Sequence, residues 1–153
     1  MTITSITPAT FISDTLIYLR DTINTGVTDP RSAQRPSSTN FVMTSFPEKP
    51  AFYPLITVEA ENIADVERLG LQSEATLTEM TVKVRVWSRS LTEKDKLAQS
   101  VMTTLRTNQT DATGSIVTGL HDYSIINTVD VDEIGEGAVK SKIIRVRYRV
   151  VLT

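Results

Sequence analysis

Residues 77–106 read LTEMTVKVRVWSRSLTEKDKLAQSVMTTLR, and a change of period within them decides the fold. Met80, Val82, Val84 and Val86 alternate with Thr81, Lys83, Arg85 and Trp87. A period of two puts the first set on one face of a strand and the second on the other. The strand stops at Ser88-Arg89-Ser90, after which Leu97, Ala98, Val101, Met102 and Leu105 recur at helical spacing as one apolar stripe. Thr92 has the chemistry of an N-cap. Glu93 and Asp95 stand in the first turn, where the helix dipole favours anions, and Arg106 stands in the last, where it favours cations. A half-buried strand thus runs straight into an amphipathic helix, and both need partners for their apolar sides.

Upstream, Met1 to Thr7 reads as a loose arm. Thr7-Pro8 then places proline in a first helical turn, where its missing N–H costs nothing. Ile12, Leu16, Leu19 and Ile23 follow at intervals of four, three and four, which predicts an amphipathic helix from Pro8 to Asn24 stopped by Gly26. The stretch from Gly26 to Asn40 holds Pro30 and Pro36 among small polar residues and has no apolar period. It reads as a flexible loop that becomes ordered against neighbours. The competing reading, a linker between domains, fails because the helix before it is too short to stand alone. Residues 1–153 are therefore expected to form one domain.

Asn40 to Phe46 reads as a strand, broken by Pro47 and Pro50, and Pro54 to Ala60 as another. The polar segment ENIADVERLGLQSEAT is ambiguous, with room for one helical turn around Ala64 to Leu69. Tyr123 to Val131 and Lys142 to Leu152 read as two closing strands about a turn at Gly135-Glu136-Gly137. On the last strand Ile144, Val146, Tyr148, Val150 and Leu152 face one way, and Arg145, Arg147 and Arg149 the other. Strands grouped together with only two helices predict an α+β fold, a mostly antiparallel sheet with both helices on its apolar face.

Composition narrows the function. The chain has 153 residues, 40% apolar and 22% charged, with a net charge of -2. That balance fits a soluble globular domain and gives no reason for nucleic acid or membrane as an obligatory partner. There is no cysteine, hence no disulfide framework, thiolate nucleophile or cysteine zinc site. The start, MTITSITPATF, lacks the basic and apolar regions of a secretion signal, and no window reaches the length of a membrane span, so an intracellular product is expected. His121 is the single histidine, in GLHDY before a strand, and a lone histidine needs positioned partners to act as a base. The acidic run Asp130, Asp132, Glu133 and Glu136 lacks the spacing and final bidentate glutamate of an EF-hand and reads as a solvated hairpin tip. Gly135 and Gly137 match no phosphate loop. No catalytic residue, cofactor site or metal site is read here, and no enzyme is expected.

The basic residues carry more. Lys83 and Arg85 on one strand and Arg145, Arg147 and Arg149 on another lie opposite apolar sets, which predicts that all five share the uncovered side of one sheet. Acidic neighbours such as Glu59 and Glu79 can offset them there. A phosphate backbone or another subunit's carboxylates can also meet them, without base readout. Tyr148 belongs to the apolar set, so no aromatic platform for bases is interleaved.

A leading amphipathic helix, a long polar loop, two strands, TVKVRVWSRS feeding EKDKLAQSVMTTL, and a closing IIRVRYRVVL together resemble the tail-terminator (tail-completion) proteins of long-tailed phages, the group that includes the phage lambda tail terminator. The resemblance covers nearly the whole chain through element order and size. It implies a virion neck protein, assembled in the host cytoplasm, that forms a homo-oligomeric ring, usually a hexamer. Such a ring caps the tail tube, ends its polymerisation and meets the head-side connector, while DNA passes through its lumen. The outline also extends to head-closure proteins of the neck. A small module that binds nucleic acid without sequence preference is the alternative outside that class. In a ring, Arg145, Arg147 and Arg149 are expected to meet carboxylates of an adjacent subunit, such as the hairpin carrying Asp130, Asp132 and Glu133.

Overall fold

Alternation along TLTEMTVKVRVWS becomes the central strand of the molecule. The computed structural model describes residues 7–47, 51–70, 75–108, 120–132 and 138–152. In chain order a 3-10 turn (Pro8–Thr10) leads into α1 (Phe11–Gly26). β1 (Val42–Met43), β2 (Leu55–Leu69), β3 (Ala75–Ser88), α2 (Leu91–Thr107), β4 (Leu120–Asp132) and β5 (Lys140–Leu152) follow. The five strands form one sheet of order β1-β2-β3-β5-β4. Every pairing is antiparallel except β1 on β2, which is parallel. The fold is α+β, as expected.

Met80, Val82, Val84 and Val86 are fully buried, and so are Ile144 and Val146 beside them on β5. α2 lays Leu97, Ala98, Val101 and Leu105 on this face, with Met102 at the margin. α1 adds Leu19 and Ile23, and both helices contribute to one apolar cluster. Burying each such side chain contributes about 1.5–3 kcal/mol, so this face carries most of the driving force.

Several local expectations change. The cap of α2 is Ser90, whose hydroxyl accepts from the Glu93 N–H at 3.4 Å, so the helix starts before Thr92. The buried line on α1 is Thr15, Leu19 and Ile23, with Phe11 partly buried, while Ile12 is 40% exposed. Thr15 is tolerated there because its hydroxyl donates to the Phe11 carbonyl at 2.7 Å. Only Val42–Met43 of the expected Asn40–Phe46 strand pairs.

The segment after Ala60 forms no helical turn; it continues β2 to Leu69 as one arm of a long hairpin with β3. Register shifts at Ala60/Asn62 and Asp65/Glu67 interrupt its alternation, which is why its polar pattern shows no clean period of two. Gly70 follows with φ +88, a left-handed conformation that suits glycine. His121 lies on β4, in register with Arg149, and not in a loop. The expected Gly135–Gly137 turn lies outside the described residues.

The connection between α1 and β1 has no regular element but is tied at its centre. Arg35 donates from Nε to Asp29, at 7% and 12% side-chain exposure, and from its terminal nitrogens to the carbonyls of Phe52 and Pro54. Its guanidinium lies 4.9 Å from the Phe52 ring centroid and 5.2 Å from that of Phe41. One arginine thus replaces the apolar contacts this segment lacks.

Candidate interaction face of the sheet

Because β3 and β5 are adjacent and antiparallel, their outward residues interleave. Lys83 is in register with Arg145, Thr81 with Arg147, Glu79 with Arg149, and Arg85 with Ile143. All five expected cations therefore lie on the side of the sheet away from the helices. Carboxylates from the same face meet them. Lys83 Nζ is 3.6 Å from Glu59, and Arg149 and Arg147 share Glu79 at 3.6 and 4.0 Å. Arg145 Nε donates to both oxygens of Glu61, at 3.0 and 2.9 Å. Lys83 and Arg145, like charges directly opposite each other, are thus each bound by a carboxylate of β2.

Arg85 is held differently. Its guanidinium stacks 3.8 Å from the Trp87 ring centroid, and its Nε donates to Ser141 Oγ at 2.9 Å. Ser141 Oγ in turn donates to the Val131 carbonyl at 2.6 Å. Trp87 donates from its indole nitrogen to Thr57 Oγ1 and packs against Phe46 at 4.9 Å between centroids. Among the described residues the five cations outnumber the three carboxylates that meet them, Glu59, Glu61 and Glu79. The ion-paired side chains are roughly a quarter to two-fifths exposed, and such pairs are individually worth about 0–1 kcal/mol. They order the arginines more than they stabilise the fold.

The acidic candidates are placed elsewhere. Asp130 is in register with Lys142, and its carboxylate meets Lys94 Nζ of α2 at 3.1 Å and Lys142 Nζ at 3.6 Å. Lys142 also reaches Asp95 at 3.1 Å. This network is on the helix side, so Asp130 is on the opposite face from Arg145, Arg147 and Arg149. Its charge is met within its own subunit by Lys94 and Lys142. Burial works to raise the Asp130 pKa, but hydrogen bonds and charge from Lys94 and Lys142 outweigh it and hold the group below the usual carboxylate value. Asp132 is in register with Lys140, and Glu133 lies outside the described residues.

Two participants escaped the sequence reading. Glu61 sits just where the first β2 register shift falls, in a segment with no visible period. Lys94 stands one turn before Leu97 and Ala98 on the apolar stripe itself, and that spacing was the available signal. Among the described residues no group of three or more His, Asp or Glu is placed to hold a metal, and no helix is long and apolar enough to cross a membrane.

No protein-family model and no curated protein sequence matches the chain. A solved structure does. Its fold is similar to that of a chain in the virion of a native gene transfer agent particle, with a TM-score of 0.52 and 12% identity. The match covers 72% of this chain and 78% of that one. At that identity the likeness concerns the fold.

Proposed function

We propose that this chain is a non-catalytic structural protein of a phage-like particle, a tail terminator. It forms a ring, hexameric in the family it resembles, that caps the tail tube, ends its growth and docks the head-side connector. The observation that carries this reading is the α+β fold shared over most of both chains with a protein of a gene transfer agent virion. The charge-offset sheet face is compatible with it. DNA must pass such a ring, and arginines already bound to Glu61 and Glu79 offer phosphates few free contacts.

The experiment is tube assembly. Added to polymerising tail tube protein, the chain should shorten the tubes and appear at one end in electron micrographs; an unchanged length distribution refutes the capping role. Binding to connector but not to tube would point to head closure. The surplus of cations over carboxylates among the described residues of the sheet face favours a second reading, non-specific DNA binding, which predicts affinity that falls steeply with salt.

A further inference from the structure

The sheet has two unlike open edges. On one side β1 covers β2 only at Ile56 and Thr57, so from Val58 to Leu69 the outer edge of β2 pairs with no strand among the described residues. On the other side β4 pairs inward with β5, and its outer edge along Leu120–Asp132 pairs with no strand among the described residues. Long open edges expose rows of N–H and C=O groups and are templates for another strand.

Five of the eight large apolar side chains exposed among the described residues sit at these same two places. Ile63 and Val66 on β2 are 38% and 49% exposed, and Ile126, Val129 and Val131 on β4 are 46%, 41% and 44% exposed. Three carboxylates nearby are engaged within the subunit: Glu61 is bound by Arg145, Asp65 accepts from Thr78 Oγ1 at 3.0 Å, and Asp130 lies between Lys94 and Lys142.

Strand direction completes the argument. β2 runs antiparallel to β3, β3 to β5 and β5 to β4, so β2 and β4 run in opposite senses. A second copy related by rotation about an axis along the strands keeps its strand directions. Its β2 edge would then meet the first copy's β4 edge antiparallel, as a regular ladder. Two different edges joined head to tail make a heterologous contact, which closes into a ring when the rotation closes.

We propose that copies of this chain join through the outer edge of β4 on one and the Val58–Leu69 edge of β2 on the next, as a continuous sheet in which Val129 and Val131 lie on the arginine face and Ile63 on the helix face. The proposal specifies the joint of the ring proposed above and rests on that reading for closure, but not for the contact itself.

The absence of native cysteine makes thiol cross-linking clean. Chains carrying Val129→Cys and chains carrying Ala64→Cys, both on the arginine face, are mixed at a concentration where native mass spectrometry detects oligomers, then treated with a short bis-maleimide. Mixed dimers should form at least tenfold faster than dimers of Val129→Cys alone. Faster Val129→Cys self-dimers would show a two-fold joint and overturn the proposal; so would oligomers without any cross-link, or a chain that stays monomeric up to millimolar concentration. Rings without the cross-link refute only the joint, whereas cross-linked open chains that never cap tubes refute only the terminator reading. Ile126→Lys with Val129→Lys, both at exposed positions, should abolish oligomers while leaving the melting transition of the monomer in place.

Discussion

Lys94 of α2, 2% exposed, places its ammonium 3.1 Å from the carboxylate of Asp130 on β4, which is 53% exposed. A buried cation is therefore tied to the rim of the sheet, and this contact links α2 to the edge strand across β5. Asp130→Ala removes this contact and keeps the weaker one to Asp95 at 4.0 Å. The loss should be about 1–3 kcal/mol, between an exposed pair and a fully buried one. Lys94→Met, which removes the charge and keeps the stem, should cost less than Asp130→Ala. Urea midpoints of the two variants test the order.

Acid should expose a second pair. Burial works to raise the Asp29 pKa, but the Arg35 hydrogen bond, the Arg31 N–H and the Arg35 charge hold it below the usual 3.8. A carboxylate depressed in the folded state contributes stability that is present above the unfolded value and lost as pH falls through the folded one. Stability should therefore drop below about pH 3.8, and Asp29→Asn, although less stable at neutral pH, should flatten that drop. Denaturant midpoints between pH 2 and 5 decide this; an unchanged acid slope in Asp29→Asn would remove the role.

Gly26 ends α1 where it passes α2. A Cβ built there overlaps Thr104 Cγ2 and falls 2.9 Å from its Oγ1. Gly26→Ala should cost about 1–3 kcal/mol through this overlap. In a Thr104→Ala background the same change should stabilise by about 0.5–1 kcal/mol, the ordinary gain of alanine over glycine in a helix. A double-mutant cycle by thermal melting reads the coupling.

Val101 is fully buried between α2 and the sheet, while Leu91 at the start of α2 is 52% exposed. Val101→Asp should cost several kcal/mol and prevent cooperative folding. Leu91→Asp should fold normally. A soluble, cooperatively melting Val101→Asp chain would show that α2 is not part of the core.

Arg147→Glu sets a carboxylate beside Glu79, which now lies 4.0 Å from the arginine. With the joint at the strand edges, oligomer mass should not change, while any salt-sensitive association with DNA should weaken. A loss of oligomers on gel filtration would instead return the arginine row to the subunit contact and count against the edge joint.

The sequence by itself determined the elements whose periodicity survives intact. β3, β5 and α2 are legible because each buries one unbroken face, Met80 to Val86, Ile144 to Val150 and Leu97 to Leu105, and burial must follow the period of the backbone. From that, the five-cation face opposite also followed. Tertiary structure decided what periodicity cannot encode. The register shifts in β2 carried a polar segment along as a strand, because β3 offered a partner for its backbone over its whole length. Pairing across the sheet brought Glu61 to Arg145, 84 positions away, and packing of α2 over the β4 rim brought Lys94 to Asp130. These partners are set by which strands lie side by side, and a charge pattern along the chain holds no distance between strands.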